Sequence, residues 1–421
     1  MDSRPSVVIT GVGVVSPLGI GPESYWNALC QQRSGVDVLP AVAELRLPLR
    51  IGAAVKDFDA KQYVKPRKAL KVMSREIQMG FAAASMAVEH AGWQPNQLPP
   101  ERTGVLYASD MVYCEPTESV SAYGHCIEDG KFHAEKWGRV FMSELYPLWM
   151  LMYLPNMTAC HIGIAQDARG PNNTICQGEA SSLLALIEAA LIIQRGHADV
   201  MVTGGSSSRM TATSMLYRGM NRLSRRIDAP QSACRPFDAA RDGAVNGEGA
   251  ATLVLEREDF AAARGARILA RVTGWGTAFA PPQSPTFTPS QALQRVIEKT
   301  LSASQWSPAD VGHVNAHAMG SVPDDAAEAQ AIRAVLGDVP VTALKSYFGN
   351  LGASGGAVEM VASVLAFAHG RIPATLNYTD PDPACPVNVV AGESQPIQQA
   401  TAAVLSQSSS GQTVCVGLAG A

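Results

Sequence analysis

Residues 170–182 read Gly-Pro-Asn-Asn-Thr-Ile-Cys-Gln-Gly-Glu-Ala-Ser-Ser, and the stretch from Ala180 to Gln194 is apolar nearly all round. This pattern predicts a short strand at 174–177, a sharp turn at Gly178 and a buried helix closed by Gly196. Such an elbow presents one side chain at a helix N-terminus, where free N–H groups and the helix dipole favour an anion or an oxyanion. The residue at the tip is Glu179. A carboxylate is electrostatically at home there but is a poor acyl acceptor. Local chemistry alone leaves two readings open, a functional carboxylate and a plain capping acid.

Two other patterns bear on chemistry. His313 and His317 are four apart but lie on a strand-to-loop passage with no third ligand at a clear spacing, so no metal centre is expected. His317, followed by Ala318-Met319-Gly320, sits at a loop edge where catalytic groups gather; its other reading is a hydrogen-bonded structural histidine. Gly11-Val-Gly13-Val-Val-Ser16 imitates a dinucleotide fingerprint but lacks the third glycine and the acid that follows, and is read as a tight turn.

The elements that position these residues come from a chain of 421 residues, 47% hydrophobic and 17% charged, which excludes a disordered or charge-driven protein. A net charge of −4 leaves no basic field for nucleic acid or an anionic membrane surface. The eight cysteines form no CxxC pair and read as buried thiols of a reducing compartment. No signal-peptide layout and no run of 18 apolar residues is present, so a cytoplasmic protein is expected.

Strands are expected at 7–10, 104–108, 174–177, 200–203, 250–255, 268–274, 314–316 and 414–417. Helices are expected at 22–32, from Ser74 (a candidate N-cap) to near Gly92, and at 180–194, 291–302, 326–335 and 357–369. Residues 119–155, rich in Trp, Tyr, Phe and Met, read as an irregular insertion or interface element. The alternation of strands and helices argues for α/β layering, in two halves of similar rhythm.

At the elbow the sequence resembles the elongating β-ketoacyl-acyl-carrier-protein synthases of the thiolase superfamily, and the resemblance covers almost the whole chain. It rests on the opening Val7-Val-Ile-Thr-Gly-Val-Gly-Val-Val-Ser-Pro-Leu-Gly19, on Pro155-Asn-Met157 and Gly170-Pro-Asn, and on Ala198-Asp-Val-Met-Val-Thr-Gly-Gly205. It continues through Arg235-Pro-Phe-Asp-Ala-Ala-Arg-Asp-Gly243, Gly247-Glu-Gly249, Val314-Asn-Ala-His317, Asp325, Glu328-Ala-Gln330 and Lys345-Ser346. The implied fold is α/β and thiolase-like, with duplicated βαβαβαββ halves in a five-layered αβαβα arrangement. Residues 1–258 would carry the elbow and the dimer-contact insertion, and residues 259–421 His317, Lys345 and Asn350.

The catalytic set departs from the family's Cys, two His and supporting Lys. Counting forward from Gly170 and back from Gly196 both place Glu179 at the nucleophile position, so Cys176 is not a displaced nucleophile. His317 and Lys345 match; the second His is Asn350. The run that holds the phosphopantetheine arm reads Met319-Gly320-Ser321, and the gating loop reads Ser406 to Gln412, which makes Met319, Ser321, Ser409 and Gly411 the substrate-binding candidates. Asp325 and Glu328 would be structural. Acyl transfer needs a soft nucleophile that forms a thioester and later leaves, and a glutamate does not supply one. The resemblance therefore implies a homologue that has lost condensing activity, similar to a chain-length factor. It would pair with a Cys-bearing ketosynthase, or with itself, in type II fatty acid or polyketide synthesis. No cofactor is implied in the chain; the arm of an acyl carrier protein is the substrate handle. The alternative is an autonomous carrier-dependent enzyme without a thiol step, such as a malonyl-carrier decarboxylase using Glu179 and His317.

Overall fold

The computed structural model describes residues 5–39, 50–93, 98–112, 114–217, 222–281, 284 and 287–421. The first strand, β1 (Val7–Ser16), is buried along its whole length, as a β-branched run covered on both faces must be. It does not turn at Gly11 and Gly13, contrary to the sequence expectation. These glycines serve a close approach instead. Helix α1 (Arg75–His90) lies so near that a Cβ on Gly11 would fall 2.2 Å from the Ala87 carbonyl oxygen, and one on Gly13 2.1 Å from that of Ala83. Ser74 takes the N-cap position of α1 but its side chain makes no capping bond.

The first half continues through β2 (Thr103–Ser109), α2 (Met157–Ala165), β3 (Asn172–Ile175), α3 (Ser181–Gln194), β4 (Val200–Ser208) and β5 (Glu248–Arg257). The second half runs β6 (Ala270–Phe279), α4 (Pro289–Ser304), β7 (His313–Asn315), α5 (Val322–Leu336), β8 (Pro340–Thr342), α6 (Gly355–His369), β9 (Thr401–Gln407) and β10 (Gln412–Gly420). Each half is thus βαβαβαββ. Each also has the same strand order, β3-β2-β4-β5-β1 in the first and β8-β7-β9-β10-β6 in the second, with the same parallel and antiparallel pairs. The halves join where Val7–Ile9 pairs antiparallel with Ala270–Val272. Strand β9 was not foreseen from the sequence.

Helices α3 and α6 touch each other and strands of both halves, which makes them the middle layer. Twelve of the fifteen residues of α6 are buried, so an all-round apolar sequence is what that position demands. Helices α1 and α2 cover one outer face; α4 and α5 cover the other. The five layers are those of a thiolase-like fold.

Between β2 and α2 the chain is more regular than its composition implied. Helices Pro116–His125 and Ala134–Glu144 flank a small hairpin, Ile127–Glu128 with Lys131–Phe132. A chain of rings holds this insertion together: Tyr123–Trp137 at 4.5 Å between centroids, Trp137–Phe141 at 4.7 Å, Phe141–Trp149 at 5.5 Å and Trp149–Tyr153 at 4.8 Å. Much of its apolar surface faces outward, including Val120, Ile127, Phe132, Met142 and Met150. The edge strand β3 is partly exposed as well. Cys126, Cys234, Cys385 and Cys415 are buried, but Cys30 and Cys176 are exposed, because one ends a surface helix and the other follows the edge strand. Among the described residues no helix is long and apolar enough to cross a membrane.

Candidate active site

Loops at the carboxyl ends of β2, β3, β4, β7 and β8 and the turn between β9 and β10 converge at one end of the molecule. The elbow after β3 is built as the sequence implied. Gly178 has φ +59, a left-handed value that glycine adopts at least cost, and Ser181 Oγ donates to the Gly178 carbonyl at 2.6 Å while accepting from Gln177 N. This clamps the turn and places Glu179 just before α3. Ser406 Oγ donates to the Glu179 carbonyl at 2.8 Å, tying the elbow to the end of β9.

The Glu179 carboxylate is buried and does not stand free. Arg209 Nη1 donates to its Oε1 at 2.5 Å, and Asn350 Nδ2 donates to the same oxygen at 3.1 Å. The guanidinium turns its Nε to Asp110 Oδ2 at 3.2 Å, which also accepts from Ser207 Oγ at 2.6 Å and Ala353 N at 3.3 Å. Burial alone would raise the Glu179 carboxyl. The Arg209 cation outweighs it, with the Asn350 hydrogen bond adding, and holds the group well below the usual carboxylate range. Burial likewise works against the Arg209 charge, and Asp110 and Glu179 more than restore it.

Asn350 is committed on both sides of its amide: Oδ1 accepts from Gly352 N at 3.0 Å while Nδ2 faces Glu179. His317 is buried, and among the described residues neither ring nitrogen has a hydrogen-bond partner. Burial and the nearby Lys345 and Arg209 cations hold its imidazole neutral, with Glu179 opposing. Its main chain is fixed by Glu328, whose two carboxylate oxygens accept from His317 N and Ala318 N, each at 2.7 Å. Burial pushes the Glu328 carboxyl up to about 8. Asp325 accepts from Met319 N, Gly320 N and Phe237 N, each at 3.1 Å, and burial raises it to about 6.

Lys345 stands one layer behind, in a buried ion pair with Glu359 of α6, and reaches the site through its field on His317 and Glu328. Arg209, not His317 or Lys345, is therefore the cation that meets Glu179, and sequence reasoning passed it over. A signal was present: Gly205, Ser207 and Arg209 alternate along β4 and its end, and Gly205 faces Ser182 at the start of α3. Alternation puts Ser207 and Arg209 on the elbow side.

A cavity of about 140 Å³ opens onto His317 and is lined by Met319, Ser409 and Gly411 together with Asp324 and Arg222. Ser321 does not line it; its hydroxyl is spent on Asp324 at 2.7 Å. Cys176 lies at the foot of the elbow, where the protein around it and the Asp110 carboxylate push its thiol up, the reverse of activation.

This arrangement can hold an anion at the elbow permanently and leaves a neutral imidazole facing a small cavity. As a nucleophile or base, Glu179 is weak, because a carboxylate so stabilised gives little to an electrophile or a proton.

Residues 4–261 match the N-terminal domain of β-ketoacyl synthases, and residues 269–379 match the C-terminal domain. The 3-oxoacyl-[acyl-carrier-protein] synthase 2 of Synechocystis is 31% identical over 398 residues, 93% of this chain and 92% of that protein. Among solved structures, a β-ketoacyl synthase from Burkholderia phymatum superposes with a TM-score of 0.87 at 28% identity, over 99% of this chain and 100% of the other. The ishigamide ketosynthase/chain length factor gives 0.87 at 25% identity over the whole of both chains. A type II polyketide ketosynthase in complex with its acyl-carrier protein gives 0.82 at 26%, again over the whole of both chains. The two matched domains and the shared five-layered architecture place the chain in the β-ketoacyl synthase family.

Proposed function

We propose that the chain is a ketosynthase homologue that does not condense. It acts as a chain-length-factor-like partner of a Cys-bearing ketosynthase in type II fatty acid or polyketide synthesis, with an acyl carrier protein delivering the growing chain. The observation that carries this reading is the buried Glu179–Arg209–Asp110 network at the elbow. It fills with a fixed ion pair the place where an acyl thioester would form, and Asn350 spends on Glu179 the N–H that would meet a substrate carbonyl. The outward apolar surface of the insertion supports a large contact with another subunit, and the likeness to the ishigamide ketosynthase/chain length factor agrees with it.

A malonyl-carrier decarboxylase is the competing reading, favoured by the unpartnered His317 ring at the cavity wall. One pair of measurements separates them. The purified chain is incubated with malonyl carrier protein while carbon dioxide release and intact mass are followed, and the chain is co-expressed with a Cys-bearing homologue from the same organism. No release, no adduct and a 1:1 complex are expected. Turnover that depends on Glu179 and His317 makes it a decarboxylase; a thioester on Cys176 overturns the assignment of the elbow.

A further inference from the structure

The cavity of about 140 Å³ at His317 is lined by two opposite charges, Arg222 and Asp324. We propose that it binds a free amino acid with a small hydroxylated side chain, of which serine is the simplest. The carboxylate sits on Arg222, the ammonium on Asp324 and the hydroxyl on His317. This goes beyond the function proposed above, in which the chain holds no acyl group at the elbow.

The two charges are set out for a guest rather than for each other. Among the described residues Arg222 makes no ion pair and no side-chain hydrogen bond. Asp324 accepts from Ser321 Oγ at 2.7 Å and, among the described residues, meets no cation. Both positions are fixed by the main chain. The Arg222 carbonyl accepts from Ala244 N at 3.0 Å, and Asp324 lies in the first turn of α5. A ligand with one charge would satisfy one wall and leave the other bare; a zwitterion satisfies both.

His317 supplies the third contact. It is 3% exposed, and among the described residues neither ring nitrogen is bonded. A neutral imidazole carries one donor and one acceptor, and leaving both unmet in a buried place is costly. A ligand hydroxyl relieves that cost. Arg222 is exposed and Asp324 half-buried, so the charges stand toward the mouth and the imidazole at the deep end. An amino acid entering side chain first meets them in that order.

Size and walls favour a short guest. A cavity of about 150 Å³ holds a molecule as large as benzene, and serine is of that size. Met319 closes the back, where Asn350 Nδ2 touches its sulfur at 3.7 Å and is itself bonded to Glu179. The side wall is rigid. Gly411, with φ +102, lies so close that a Cβ would fall 1.9 Å from the Ala280 carbonyl oxygen, and its N–H donates to the Ser408 carbonyl at 2.9 Å. A preformed site of this kind loses little freedom on binding. A phosphopantetheine arm, being anionic, brings no cation to Asp324.

The test titrates the purified full-length protein calorimetrically with L-serine, L-alanine, ethanolamine and 3-hydroxypropanoate. The last three lack in turn the hydroxyl, the carboxylate and the ammonium. L-Serine should bind, and each of the others should bind about tenfold more weakly or worse. Arg222→Gln should reduce serine to the affinity of ethanolamine, Asp324→Asn to that of 3-hydroxypropanoate, and His317→Leu to that of L-alanine. Met150→Ala on the insertion should change nothing. Arg222 is exposed, so its variant keeps the test intact if His317→Leu fails to fold. Absence of serine binding, equal affinities for the four probes, serine binding that survives Arg222→Gln, or phosphopantetheine binding tighter than serine overturns the proposal.

Discussion

Arg209 Nη1 stands 2.5 Å from Glu179 Oε1, and the two side chains are 3% and 8% exposed. The same guanidinium holds Asp110, so one buried cation serves two buried carboxylates. Everything expected of the elbow follows from this shared pairing.

Removing the cation should cost more than removing either anion. In Glu179→Ala, Arg209 keeps Asp110; in Arg209→Ala, both buried carboxylates lose their cation and keep only neutral donors, Asn350 on Glu179 and Ser207 and Ala353 N on Asp110. We expect Arg209→Ala to lose about 3–5 kcal/mol or more, the range for a broken buried pair, and Glu179→Ala less. The Glu179→Ala/Arg209→Ala double variant should lose less than the two single losses added together. Urea denaturation of the three proteins checks the order. A Glu179→Ala loss exceeding that of Arg209→Ala would refute the shared-cation account.

Glu179→Gln should be milder than Glu179→Ala, since its carbonyl still accepts from Arg209 and Asn350 and only the charge is lost, at about 1.5–3 kcal/mol. The pH dependence has a fixed sign. The folded-state carboxyl is depressed below its unfolded value near 4.3. The advantage of wild type over Glu179→Gln is therefore full above that value and disappears as the pH falls through the lower folded one. Denaturation midpoints of both proteins from pH 7 to the acid limit should converge; a gap that widens on acidification contradicts the pairing.

The legible and the illegible parts of this site differ in range. The elbow could be read because Gly178, the apolar run behind it and Glu179 are contiguous, and the middle-layer helices because burial on all sides leaves an all-round apolar sequence. Arg209 was missed because its partners lie at Asp110 and Glu179, far along the chain; only the two-residue alternation from Gly205 hinted at its direction. Gly11 and Gly13 misled because a glycine that admits a neighbouring helix looks, in sequence, like one that makes a turn. Strand β9 escaped because Thr-Ala-Ala-Val-Leu-Ser-Gln has one β-branched residue in its interior and a polar end, and its place is set by pairing with β7 and β10. The insertion's helices were visible in principle, as Trp137 and Phe141 are four apart, but the density of rings drew attention to interfaces instead.

A separate pH effect should come from His313, which is buried on β7 with Phe367 edge-on at 5.9 Å. Burial lowers its imidazole to about 4. The unfolded chain then binds one proton more than the folded one between pH 6.5 and about 4, so this residue makes stability rise with pH there, by about 1.4 kcal/mol per unit. His313→Leu should remove that slope. The neighbouring Glu328, Asp325 and Glu359 titrate with the opposite sign, so the measurement is the difference between variant and wild type at each pH. An unchanged difference from pH 4 to 6.5 would show that His313 is not held neutral.

Restoring a thiol at the elbow should not restore condensation. In Glu179→Cys the new sulfur would stand beside Arg209, whose charge favours the thiolate, and iodoacetamide should label it at mildly acidic pH, well below the ordinary thiol range. Reactivity is not turnover, however. A thiolate paired with a fixed guanidinium is a weaker nucleophile, Asp110 and Arg209 still fill the space behind it, and Asn350 cannot supply a cationic donor to the enolate oxygen. Groups that act as a unit are not repaired singly. The variant should therefore be alkylated rapidly and yet give no ketoacyl product from acyl and malonyl carrier proteins. Glu179→Cys/Arg209→Ala, which clears the path behind the sulfur, should accept an acyl group from a carrier as a mass increase even where condensation remains absent. Ketoacyl product from the single variant at rates near those of a Cys-bearing homologue would show that Glu179 alone, and not the network around it, silences this site.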